Sequence, residues 1–117
     1  MDVDFIRKQC MALPHTTETV QWGNDLVFKV GGKMYAVTPL EPAPVCLSFK
    51  CTLEDFADLT ERPGIIPAPY MARAQWVGLE SDDALTAAEI KRYLKRSYGL
   101  VFAKLTQKMQ AELGRST

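Results

Sequence analysis

Residues 28–37, FKVGGKMYAV, constrain the fold of this 117-residue chain more than any other stretch. Runs of β-branched, aromatic and apolar residues flank adjacent glycines, and a two-residue hairpin turn needs the positive φ that glycine adopts without strain. The wider run LVFKVGGKMYAVTPL therefore reads as a β-hairpin over residues 26–40, with Val30 opposite Lys33, Lys29 opposite Met34 and Phe28 opposite Tyr35. In that register Phe28, Val30, Lys33 and Tyr35 share one face, and Val27, Lys29, Met34 and Ala36 the other. The two tip lysines leave opposite faces. A lone hairpin is marginal in water, so the remaining segments must complete a sheet and cover it.

The segment DFIRKQCMALP reads as a helix capped by Asp4, with Ile6, Cys10 and Leu13 inward and Pro14 as its stop. HTTE is a polar turn, and TVQWG a short strand closed by Gly23. VCLSFK alternates, placing Val45, Leu47 and Phe49 on one side and Cys46, Ser48 and Lys50 on the other. Thr52 opens a second helix with Glu54 and Asp55 in its electropositive first turn and Leu53, Phe56 and Leu59 inward, ended by Pro63 and Gly64. GIIPAPYMARA is too proline-rich for regular structure and reads as an ordered loop lying across the sheet, followed by a strand in QWVGLE. Thr86 and Glu89 make a capping box, behind which Ile90, Leu94, Ser97, Val101 and Leu105 form one helical stripe with a weak point at Gly99. Lys104 falls near that stripe, so it either snorkels or marks a bend at Gly99. TQKMQAEL reads as a last short helix capped by Thr106.

One domain accommodates this length, and 47% hydrophobic with 24% charged residues is ordinary for a globular chain. No signal-peptide pattern and no run approaching roughly 18 apolar residues occurs, so a cytoplasmic protein without membrane contact is expected. Cys10, Cys46 and Cys51 are expected as free, buried thiols. Zero formal net charge argues against a strongly electrostatic nucleic-acid binder at the level of the whole molecule. The charge is nonetheless polarised: residues 1–83 hold seven basic against twelve acidic residues, and residues 84–117 seven against two. On the long helix Lys91, Arg92, Lys95 and Arg96 fall across the arc opposite the apolar stripe, facing solvent, and an anionic partner should prefer this segment.

Catalytic chemistry finds little material. His15 is the only histidine and sits in a turn beside Pro14, and the set Cys10, Cys46, Cys51 and His15 lacks every usual zinc spacing. The glycine pair lies between strands and opens no helix with Lys-Ser or Lys-Thr, so it is not a phosphate loop. Glu54 and Asp58 stand i,i+4 on one helix face without a partner base, which suits a solvated surface. A non-enzymatic binding protein with no cofactor or metal is therefore expected, as a monomer. Its first candidate partner is DNA, with phosphates contacted by Lys29 and Lys33 at the hairpin tip and by Lys91, Arg92, Lys95 and Arg96. Trp76, Tyr35 and Tyr70 have rings that can stack on bases, although aromatic residues inside strands usually belong to a core. The alternative is a protein-interaction or small-ligand module whose apolar groove lies between the sheet face and the Pro-rich loop, exposing Trp76 or Tyr70.

The ordered set CMALPHTTE, WGNDLVFKVGGKMYA, LSFKCTLEDFADL, RPGIIPAPYMARAQWVGL and LKRSYGLVFAKLTQK resembles the MmcQ/YjbR family over nearly the whole chain. FKVGGKMYA, GIIPAPY with the following QWV, and RSYGLVFAKL carry most of the resemblance. Gln75 stands where the family leads one to expect histidine. The resemblance implies a single α+β domain of CyaY-like fold, a twisted antiparallel sheet with N-terminal and C-terminal helices packed on one side. It also implies a small bacterial cytoplasmic protein that binds DNA through a double-wing motif. The likeness of that fold to frataxin-type proteins raises iron binding, but the long helix is basic where an acidic ridge would be required.

Overall fold

The computed structural model describes residues 2–115. Six strands form one antiparallel sheet: β1 (Thr16–Gln21), β2 (Asp25–Val30), β3 (Lys33–Pro39), β4 (Leu47–Lys50), β5 (Ile65–Pro67) and β6 (Trp76–Leu79), in the order β1-β2-β3-β4-β6-β5. The helices are α1 (Val3–Met11), α2 (Leu53–Thr60), α3 (Ala87–Ala103) and α4 (Gln107–Arg115). Ile6 and Cys10 of α1, Leu59 of α2 and Ile90, Leu94 and Val101 of α3 meet Phe28, Tyr35, Leu47 and Phe49 of the sheet in one buried cluster. The helices therefore cover one face of the sheet, as an α+β fold with terminal helices on one side requires. Each fully buried Leu, Ile or Phe here contributes about 1.5–3 kcal/mol of burial. The other face carries only a small cluster of Val27, Val37, Ala68 and Trp76, with Met34 and Met71 against it.

The hairpin keeps its tip register, Val30 with Lys33 and Lys29 with Met34, but the ladder then slips and Phe28 pairs with Ala36 instead of Tyr35. A β-bulge at Tyr35 thus replaces simple alternation, and it carries Ala36 onto the helix-covered face beside Tyr35. The bulge lets the Tyr35 hydroxyl reach inward, where it meets Thr16 Oγ1 at 2.9 Å and donates to the Cys10 carbonyl at 3.2 Å. It also leaves β3 and β4 joined over only Ala36–Phe49 and Val37–Ser48. Ser97 of α3 fills the gap, donating to the Tyr35 carbonyl at 2.6 Å and accepting from the Lys50 N–H at 3.0 Å.

Several boundaries differ from those expected. The polar HTTE is mostly strand, because Thr16, Thr17 and Glu18 pair with Val30, Lys29 and Phe28 at the sheet edge, and Glu18 is held by Arg7 of α1 at 2.7 Å. Trp22 lies beyond that strand, in the β1–β2 connection. The cap of α1 is Asp2, which accepts from the Phe5 N–H at 2.8 Å, and the helix stops at Met11, before Leu13. Leu53 is exposed at the start of α2 and leaves Phe56 and Leu59 as the inner face. The Pro-rich segment is partly regular, since residues 65–67 pair with β6 at the sheet edge and a 3₁₀ turn spans Ala72–Ala74. The capping box at Thr86 and Glu89 is formed as the spacing predicts, and Thr106 Oγ1 accepts from the Met109 N–H at the start of α4. α3 ends at Ala103, with Lys104 as its C-cap and Leu105 past its end, so no bend at Gly99 is needed to turn Lys104 outward.

Candidate binding surfaces

The hairpin tip packs against the junction of α3 and α4, so closely that a Cβ added to Gly31 would lie 2.6 Å from Leu105 Cδ1. With its φ of 59°, Gly31 serves both the turn and this contact. The consequence is electrostatic. Lys33 from the tip, Lys50 from the end of β4 and Lys104 from the C-cap of α3 border one recess of about 300 Å³, whose apolar wall includes Met34, Trp76 and Val101. Lys50 Nζ donates to the Ala74 carbonyl at 2.6 Å. Burial lowers the Lys50 pKa, and the neighbouring Lys104 charge lowers it further. Among the described residues no carboxylate borders the recess, so an anion placed there would relieve this repulsion.

The other expected basic residues lie elsewhere. Lys29 pairs with Met34 on the open face and stays half-buried outside the recess. Lys91, Arg92, Lys95 and Arg96 are exposed along α3. At a rise of about 1.5 Å per residue, Lys91 is roughly 20 Å along the axis from Lys104. Arg96 is already engaged with Asp55 of α2 at 3.2 Å, and the Arg92 and Arg96 guanidinium groups stand 5.2 and 5.7 Å from the Tyr93 ring centroid. The six residues proposed from the sequence therefore do not form one cluster. Lys33 instead joins Lys50 and Lys104, neither of which the sequence singled out as a site. Lys104 gave a faint signal, a cation close to the apolar stripe, while Lys50 gave none.

Trp76 and Tyr70 separate in the same way. Trp76 is nearly buried and walls the lysine recess. Tyr70 is fully exposed and borders a larger apolar groove of about 630 Å³ on the open sheet face, with Trp22, Val37, Val45 and Met71. Gly78 of β6 makes room for one wall, because a Cβ there would meet Val45 Cγ1 at 2.9 Å. Gln75, left-handed at φ 58°, accepts at its carbonyl from the Cys51 N–H at 2.9 Å and from Cys51 Sγ at 3.3 Å. Its backbone ties β6 to the end of β4, and both glutamine and histidine can serve that purpose.

The three cysteines are free. Burial pushes the Cys10 thiol up to about 12 and the Cys51 thiol to about 11, which keeps both protonated at neutral pH. Among the described residues no group of three or more His, Cys, Asp and Glu side chains is arranged to hold a metal ion. Among them, too, no helix is long and apolar enough to cross a membrane.

The YjbR family model matches residues 11–100, a span that includes the hairpin, the Pro-rich segment and most of α3. The chain belongs to the YjbR family. Its fold is similar to the crystal structure of the Deinococcus radiodurans protein DR2400, described with the domain DUF419, at 35% identity and a TM-score of 0.87, covering 97% of this chain and 88% of that one. A Pseudomonas syringae protein solved as a structural genomics target shares the fold at 24% identity and a TM-score of 0.63, over 85% of this chain and 94% of that one. No curated protein matches. Within the YjbR-matched span lie Lys33, Lys50 and all four basic residues of α3, while Lys104 falls just beyond it.

Proposed function

We propose that this YjbR protein is a non-enzymatic, cytoplasmic binding module whose hairpin-tip end takes the phosphates of a nucleic acid, DNA foremost. The convergence of Lys33, Lys50 and Lys104 on a recess to which no described residue brings a carboxylate carries this reading. Lysines act as flexible point charges rather than planar forks, so they grip backbone phosphate and give little base discrimination. The exposed Lys91, Arg92 and Lys95 offer a separate positive strip on α3, away from the recess, and Lys29 adds a contact from the open face. Arg96, held by Asp55, contributes least. With zero net charge, affinity rests on local contacts and depends steeply on salt.

The test is a titration of labelled duplex DNA at several salt concentrations with the wild type and a K33A/K104A variant. Lys50 is left in place because it also ties down the Ala74 carbonyl. The slope of log affinity against log salt should flatten by about 0.9 for each phosphate contact removed. An unchanged slope would remove the lysine recess from the interface. A second reading, as a small-ligand module, is favoured by a separate observation: the apolar groove beneath Tyr70 suits an uncharged or cationic molecule better than phosphate.

A further inference from the structure

We propose that the groove under Tyr70 is a second site, separate from the lysine recess, for a small organic cation with an apolar body. Its volume of about 630 Å³ falls within the range of small-molecule sites. Among the described residues Asp25 is the sole carboxylate on its lining, and no lysine, arginine or histidine borders it. A phosphate or carboxylate ligand would meet a like charge there and no counter-ion, whereas a cation finds both a counter-ion and aromatic faces.

Those faces are placed with some strain. Trp22 comes from the β1–β2 connection and Tyr70 from the loop after β5, segments unrelated in sequence that meet at one groove. Both residues are held left-handed, at φ 51° and 66°. That conformation is disfavoured for a residue with a Cβ, which crowds the following carbonyl oxygen. Burial does not offset it, because Trp22 is 63% exposed and Tyr70 fully so. Strained, exposed aromatic residues on two sides of a groove suit a ligand that supplies the missing contacts, and a cation is attracted to the ring quadrupole.

The probe is protonated N,N-dimethylbenzylamine at neutral pH, compared with the uncharged and similarly shaped N,N-dimethylbenzamide, each titrated into the full chain and followed by amide NMR shifts. We expect saturable shifts around Trp22, Asp25, Tyr70 and Met71 with the amine, and binding at least about five-fold weaker for the amide. Asp25→Asn should weaken amine binding by a similar factor. Tyr70→Ala should also weaken it, and because Tyr70 is fully exposed this variant keeps the result interpretable if Asp25→Asn folds poorly. Equal binding of amine and amide, shifts centred on the lysine recess, unchanged binding in both variants, or no saturable binding would overturn the proposal.

Discussion

At the scale of single residues, Ser97 explains why a hydroxyl stands in the apolar stripe of α3. Its Oγ is wholly buried and stands between the Tyr35 carbonyl and the Lys50 N–H, joining β3 to β4 where the bulge has removed strand pairing. Replacement by alanine leaves a buried donor and a buried acceptor unmatched, each at a penalty of about 1–3 kcal/mol. Ser97→Ala should lower unfolding free energy by about 3 kcal/mol in urea titration, far more than an exposed serine substitution would. A loss below about 1 kcal/mol would mean that water or a relaxed backbone replaces the hydroxyl. Periodicity placed Ser97 on the inner face correctly. Its purpose stayed hidden because it depends on a bulge more than sixty residues away in sequence.

At the scale of elements, the ends of helices were the most legible features, because a cap is an interaction between residues three apart. Thr52, Thr86 and Thr106 cap as read, and Glu89 closes its box. The structure adds a distant partner: Arg62, just after α2, meets Glu89 at 2.7 Å and so joins the end of one helix to the start of another. The Arg62 hydrogen bond, followed by the Thr86 backbone N–H, lowers the Glu89 pKa to about 2 from its ordinary 4.5. A carboxyl with a depressed folded-state pKa contributes stability that is full above its unfolded pKa and is lost as pH falls through the folded one. Glu89→Gln should therefore destabilise the protein near neutral pH by about 1 kcal/mol, the pair being partly exposed. That difference should shrink as pH falls from about 4.5 towards 2, checked by denaturant unfolding across the acid range. A difference that does not change with pH would assign the effect to packing instead of charge. Less legible were the edge strands, since the threonines of β1 and the prolines beside β5 look like turn or loop unless their pairing partners are known.

At the scale of the whole molecule, the β2–β3 hairpin separates two surfaces of different chemistry. Lys33 and Met34 border the recess at its tip, and Asp25 and Pro39 border the groove at its base. At about 3.3 Å per residue, Met34 and Pro39 are roughly 16 Å apart along β3, twice the screening length at physiological salt. Saturating the tip with duplex DNA should thus change the affinity of the groove for dimethylbenzylammonium by less than about two-fold at physiological salt. A larger shift would reveal coupling through the Val27, Val37, Trp76 cluster beneath both surfaces. The sequence by itself determined the hairpin and its tip register, the helices and most of their caps, the polarity of charge and the family, because all of these rest on neighbours within a few residues or on an ordered motif. Only the tertiary structure decided the bulge at Tyr35, the gathering of Lys33 with Lys50 and Lys104, and the meeting of Trp22 with Tyr70. Each of these joins residues far apart in the chain, and their proximity comes from how the sheet and helices pack, which short-range periodicity does not encode.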